Sequence, residues 1–181
     1  MAANIFLGMR GGELIALKWK DVDFDNNTIY VHENLQNVSN PDYDTEREEE
    51  MKSLGITKNI YVIQDLKNKQ PRYIHMNPSA KRYLLMQKQY SEFTSPDDYV
   101  CGTSFGTHAT IKYLNDNISF IEKHAGTDVQ EKSSHIIRHT CASLYFAKGI
   151  RIELIAAMLG HSVDVCRETY IESEEKQKKL L

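Results

Sequence analysis

The sequence has no apolar run approaching the ~18 residues that a membrane-crossing helix needs, and no charged, then apolar, then small-residue leader at its start. Both absences speak against membrane insertion and secretion, so the expected location is the cytoplasm. Cysteine is scarce. Cys101, Cys141 and Cys166 are odd in number and far apart, which excludes a disulfide framework and a CxxC zinc or redox motif and leaves reduced packing residues. Also missing are a GxSxG elbow, a Walker loop and a GxGxxG turn behind a strand, so α/β-hydrolase and nucleotide-binding chemistries have nothing to rest on. His135 and His139 stand four apart, but no glutamate follows His135 as in HExxH, and Arg138 between them would repel a cation. No metal site is implied.

What is present fits one ordinary globular domain: 181 residues, 26% charged and 41% hydrophobic. The net charge of -3 argues mildly against a nucleic-acid partner, yet it hides an asymmetry. Residues 42–50 carry six acids and one arginine, so the rest of the chain is positive by two. Between Glu131 and Arg151 the basic residues Lys132, Arg138, Lys148 and Arg151 outnumber the single acid, with His135 and His139 among them. Such a local excess can serve a polyanion.

Three β-prone runs, Thr28 to His32, Asn59 to Gln64 and Arg72 to Met76, predict one small antiparallel sheet. The acidic residues 37–58 between the first two read as a mobile loop. Before them, Ala2 to Trp19 is apolar but broken by Gly8, Gly11 and Gly12, which suggests two short helices joined at a close-packed bend. The chain opens inside this buried segment without a cap, as a fragment of a longer protein would. From Asn77 the period becomes 3.6. Asn77 and Pro78 open a helix with Ala80, Tyr83, Leu84 and Tyr90 as its stripe, and Ile111, Leu114, Ile118 and Ile121 mark another, opened near Thr107. Further helices run from Ser134 to Lys148, stopping at Gly149, and from Arg151 to Leu159, stopping at Gly160, while Ser162 caps one carrying Tyr170. The expected fold class is mainly α with a small three-stranded antiparallel sheet.

On the helix from Ser134, with His135 at 0°, Arg138 falls at about 300°, His139 at about 40° and Ala142 at about 340°. Ile136, Ile137, Thr140, Cys141 and Leu144 fall on the other side, predicted to pack inward while two imidazoles and a guanidinium look away.

His135-Ile-Ile-Arg138-His139-Thr140, then Leu159-Gly160-His161, then Tyr170, together resemble the C-terminal signature of the tyrosine recombinases, or phage integrase family. Gly8-Met9-Arg10-Gly11-Gly12-Glu13-Leu14, followed by Leu17-Lys18-Trp19, is similar to that family's first arginine motif. Lys67, on a strand-to-strand turn with Arg72 five residues on, is similar to its lysine hairpin, although Lys69 shares the turn. The likeness runs from Leu7 to Ile171, in the family's order. It implies that residues 1–181 form a catalytic domain, without the family's separate N-terminal DNA-clamping domain and opening helix. Such a chain is expected to be monomeric by itself, to bind DNA weakly and to recombine little.

The implied activity is site-specific recombination of duplex DNA in a mobile genetic element, through a 3′-phosphotyrosyl intermediate, without metal or high-energy cofactor and together with other recombinase protomers. That chemistry needs charge neutralisation on a pentavalent phosphorane, a nucleophile and an acid for the leaving oxygen. Arginine suits the phosphate because its planar fork donates bidentately and stays charged. The resemblance assigns Arg10 and Arg138 as the clamps, Tyr170 as nucleophile and Lys67 as general acid. His135 becomes the proton acceptor or donor near the phosphate, His161 adds a hydrogen bond, Glu13 orients Arg10, and His139 supports its neighbours. The rival readings are a noncatalytic DNA-binding or regulatory module on the same scaffold and a type IB topoisomerase-like relaxing enzyme. Leu7, Gly11 and Ile74-His75-Met76 depart from the family's usual pattern.

Overall fold

The structure, a computed structural model, describes residues 2–66, 70–126 and 134–167. The expectations placed on Lys67, Lys69 and Tyr170 lie outside those residues. The glycine-broken opening folds as two short helices, α1 (Asn4–Leu7) and α2 (Gly11–Ala16). Gly8 makes the bend between them: its φ of 62° is left-handed, and a Cβ there would sit 2.6 Å from Leu159 Cδ2 and 3.0 Å from Cys141 Sγ. Asn4, buried beneath the bend, accepts from the Met9 amide at 2.9 Å and donates to the Met9 carbonyl at 3.1 Å. That pair satisfies the backbone groups where the helix has broken, and so fixes the residue next to Arg10.

The described residues then form the strands β1 (Val22–Asp23), β2 (Thr28–Val31), β3 (Asn34–Ser39), β4 (Asn59–Gln64) and β5 (Arg72–His75). The three-stranded antiparallel sheet has the order β1-β2-β5, with Ile29 opposite Ile74. The sequence reading placed Asn59–Gln64 in this sheet. It belongs instead to a separate hairpin with β3, Leu35 opposite Ile63 and Asn37 opposite Tyr61. β3 escapes a propensity reading because Asn-Leu-Gln-Asn-Val-Ser has little β-branched character of its own, and β4 supplies Ile60, Val62 and Ile63 across the pair. Residues 37–58 therefore hold more structure than a loop. β3 runs to Ser39, and α3 (Glu48–Ser53) is seated by buried Met51. Three of the six acids that suggested disorder, Glu48, Glu49 and Glu50, occupy the first turn of α3, where negative charge suits the helix dipole.

α4 (Pro78–Tyr90) begins as expected, the Asn77 carboxamide accepting from the Ala80 amide at 2.8 Å. Ala80 and Leu84 are buried, but Tyr83 and Tyr90 lie on the exposed flank of that stripe. α5 (Ile111–Ala125) is opened by Thr110, whose hydroxyl accepts from the Tyr113 amide, rather than by Thr107; Leu114 and Ile118 are buried and Ile121 is exposed. α6 (Ser134–Ala147) and α7 (Ile152–Leu159) follow, and residues 163–167 are helical behind Ser162.

α6 corrects the sequence reading in one respect. Its inward face is Ser134, Arg138, Cys141 and Ala142, while Thr140 and Leu144 are exposed. Arg138 thus shares the buried side that hydrophobicity alone gave to its neighbours, and His135 and His139 remain outside. The main core joins α1, α2, the three-stranded sheet, α4 and α5 through residues such as Leu7, Ile15, Ile29, Ile74 and Leu84. A second cluster, Ala142, Ile155, Ala156, Leu159 and Cys166, locks α7 onto α6. Among the described residues no helix is long and apolar enough to cross a membrane.

Candidate functional site

A helix ends with carbonyls that have no intrahelical donor. α7 closes on Gly160 at a φ of 66°, with the Gly160 and His161 amides turned back onto the helix. The three carbonyls at this end each take a different arginine. Arg72 Nε donates to Met158 O at 2.8 Å, Arg138 Nη2 donates to Leu159 O, and Arg10 Nη2 donates to Gly160 O at 3.1 Å. Cations are favoured at a helix C-terminus, where the backbone dipole is negative. Side chains from the N-cap of α2, from β5 and from α6 thereby meet at one point.

Glu13 ties two of them together. It is 2% exposed and accepts four hydrogen bonds: from the Arg10 backbone amide and Nη1, both at 2.9 Å, and from Arg72 Nη2 and Nη1 at 2.7 and 3.1 Å. Burial pushes its carboxyl pKa upward, but the bonds and charge of Arg72, then the bonds from Arg10, outweigh it and hold the group below its ordinary value. Glu13 stands three residues after Arg10 because that spacing returns the carboxylate to the amide that opens α2.

Arg138 is 4% exposed and also donates to Gly8 O at 2.7 Å. Burial, then repulsion from Arg10, lowers its pKa to about 10, which leaves it charged at neutral pH. Its Nε finds no acceptor among the described residues. A buried donor in that condition is costly until water or a ligand oxygen reaches it. His161 follows the arginine-bearing carbonyls directly. Burial, then the positive charges of Arg138, Arg10 and Arg72, depresses its pKa to about 4, so the imidazole is neutral near pH 7. Its Nδ1 lies 3.9 Å from Cys166 Sγ.

Arg10 and His135 line one hollow of about 360 Å³, walled by α2, the start of β3 and the N-termini of α5 and α6. Two glycines allow these elements to close in: a Cβ on Gly12 would sit 2.0 Å from Asn34 Oδ1, and one on Gly11 would sit 2.8 Å from Ser134 Oγ. The N-terminal ends of α5 and α6 add positive dipole to the arginine beside them, so the hollow suits an anion.

Of the residues singled out from sequence, Arg10, Glu13, Arg138 and His161 come together around the end of α7, and His135 joins Arg10 at the hollow. His139 is exposed on α6, near enough for its charge to bear on His161. Arg72 was noticed only as a neighbour of Lys67, yet it is central here. A signal existed: strand alternation puts Arg72 on the same face as Ile74 and Met76, both buried.

Comparison with known proteins agrees with this architecture. The sequence model of the phage integrase family matches residues 5–177. A tyrosine recombinase XerC-like protein of Caldanaerobacter subterraneus subsp. tengcongensis is 28% identical, over 94% of this chain and 44% of its own length. A putative defective protein IntQ of Escherichia coli is 24% identical, over 88% of this chain and 40% of its own. In fold, the Tn1549 transposon integrase, solved in complex with a circular intermediate DNA, superposes with a TM-score of 0.71 at 18% identity, covering 98% of this chain and 56% of that one. The chain spans less than half the length of these two sequence relatives.

Proposed function

Because the chain belongs to the phage integrase family, we propose that it is the catalytic domain of a site-specific DNA recombinase, cutting and rejoining duplex DNA through a 3′-phosphotyrosyl intermediate. The observation that carries this reading is the gathering of Arg72, Arg138 and Arg10 on the consecutive carbonyls of Met158, Leu159 and Gly160, against the single carboxylate of Glu13. Three guanidiniums paired with one acid leave two positive charges for an anion, which is what a phosphorane transition state requires.

In this mechanism Arg10 and Arg138 neutralise the nonbridging oxygens, each already oriented by backbone carbonyls so that little ordering remains at the moment of reaction. Tyr170 attacks the phosphorus through its phenolic oxygen, whose proton passes to His135. The 3′-oxygen stays attached as the phosphotyrosyl ester, and the 5′-oxygen leaves with a proton from Lys67. His135, at the hollow, exchanges a proton near the phosphate, and neutral His161 donates a hydrogen bond without adding charge. Glu13 aims Arg10, and His139 supports His161. The reading includes duplex DNA and further protomers in a synaptic complex as partners, and the cytoplasm as the place of action.

A nicked suicide duplex that traps the covalent intermediate tests the proposal. The wild-type protein should give an SDS-resistant adduct, and Tyr170→Phe should abolish it while retaining DNA binding. Absence of the adduct from the wild-type protein would refute the reading.

A further inference from the structure

Glu13 presents a difficulty for a site that must attract an anion. Paired with Arg10 alone, at 2.9 Å through both the side chain and the backbone amide, its charge would cancel the cation that faces the hollow. Arg72 changes that balance. Both Nη atoms engage the two Glu13 oxygens, Nε is fixed on Met158 O, and the side chain packs over Gly160, where a Cβ would approach its Nη1 to 3.1 Å. Its side chain is 9% exposed and it does not line the hollow that Arg10 and His135 share.

We infer that Arg72 is a positioning residue whose task is to neutralise Glu13 from behind, so that Glu13 can aim Arg10 without consuming its charge. The carboxylate supplies geometry and Arg72 restores the field. On the reading of the preceding subsection the beneficiary is a DNA phosphate, but the charge argument holds for any phosphate in the hollow.

The experiment compares wild type with Arg72→Met, Arg72→Lys and the double variant Glu13→Gln/Arg72→Met. Binding of a fluorescein-labelled duplex of random sequence is titrated over a salt series, and thermal stabilisation by inorganic phosphate is recorded in parallel. Arg72→Met should bind several-fold more weakly, with a salt slope shallower by up to about 0.9. Arg72→Lys keeps the charge and should retain the wild-type slope. The double variant removes both charges of the pair and should return to within about twofold of wild type.

A double variant as weak as Arg72→Met, or Arg72→Lys with a reduced slope, would overturn the inference and leave Arg72 a packing residue. If Arg72→Met fails to fold, the other two variants decide. The phosphate arm separates this inference from the recombinase reading: no covalent adduct together with the expected phosphate pattern defeats the reading and keeps the charge balance, whereas an adduct with the pattern absent does the reverse.

Discussion

Arg138 on α6 donates to the carbonyl of Gly8, the residue that bends the chain between α1 and α2, at 2.7 Å. The same guanidinium holds Leu159 O at the end of α7, so one buried cation joins three separate segments. The proposed phosphate clamp is therefore also a structural one, and phosphate binding and stability cannot be separated at this position.

Replacing Arg138 by Met strips donors from two buried carbonyls while keeping much of the volume. Each stranded group costs about 1–3 kcal/mol, so the expected loss of unfolding free energy is about 2–6 kcal/mol. Arg138→Lys should fall between, since one ammonium cannot reproduce the fork. Urea denaturation with a common m-value checks this, and an unchanged midpoint for Arg138→Met would contradict it.

Glu13→Ala leaves Arg10 and Arg72 without their shared carboxylate in a site where Glu13 is 2% exposed. Breaking a buried ion pair from one side costs about 3–5 kcal/mol. Chemical denaturation should show Glu13→Ala markedly less stable than Glu13→Gln, which retains an acceptor oxygen for the arginines.

Three left-handed glycines separate backbone strain from steric closeness. Gly8→Ala meets Leu159 Cδ2 at 2.6 Å and Gly160→Ala meets Arg72 Nη1 at 3.1 Å, whereas Gly55→Ala, at a φ of 70°, meets nothing within 4 Å. Gly55→Ala should cost only the ~1–2 kcal/mol of an alanine forced left-handed, and Gly8→Ala should exceed it by about 1–3 kcal/mol of overpacking. Melting temperatures in the order Gly55→Ala above Gly8→Ala are expected.

The pH dependence follows from His161. Its folded pKa of about 4 lies below the ordinary 6.5, so the unfolded chain binds the extra proton between those values and stability falls as pH drops from about 6.5 towards 4. Glu13, whose folded pKa is lowered from 4.5, contributes stability that is present above that value and lost below it as pH falls through the folded pKa. A melting series from pH 7 to pH 4 should therefore decline more gently for His161→Gln than for wild type, and parallel curves would count against the shift.

Much of this was legible before any coordinates. Glycine punctuation announced the α1–α2 bend and the ends of α6 and α7, because a left-handed residue or a close approach excludes other side chains. Asn77 before Pro78 announced α4. The motif residues Arg10, Arg138 and His161 were readable as types suited to phosphate, and Glu13 as the residue that orients Arg10. β3 was not, because its strand character is borrowed from β4, and α3 was hidden by acids that stabilise a helix start as readily as they solvate a loop.

Local chemistry in the sequence thus determined where the chain turns, which segments wind into helices and which side chains carry charge. Only the tertiary structure decided that Arg138 lies on the inner face of α6, that Arg72 completes the pair at Glu13, and that three arginines share the end of α7. The reason is that a buried cation is tolerable only where carbonyls and a carboxylate converge on it. Those acceptors come from segments far apart in the chain, which no local pattern records.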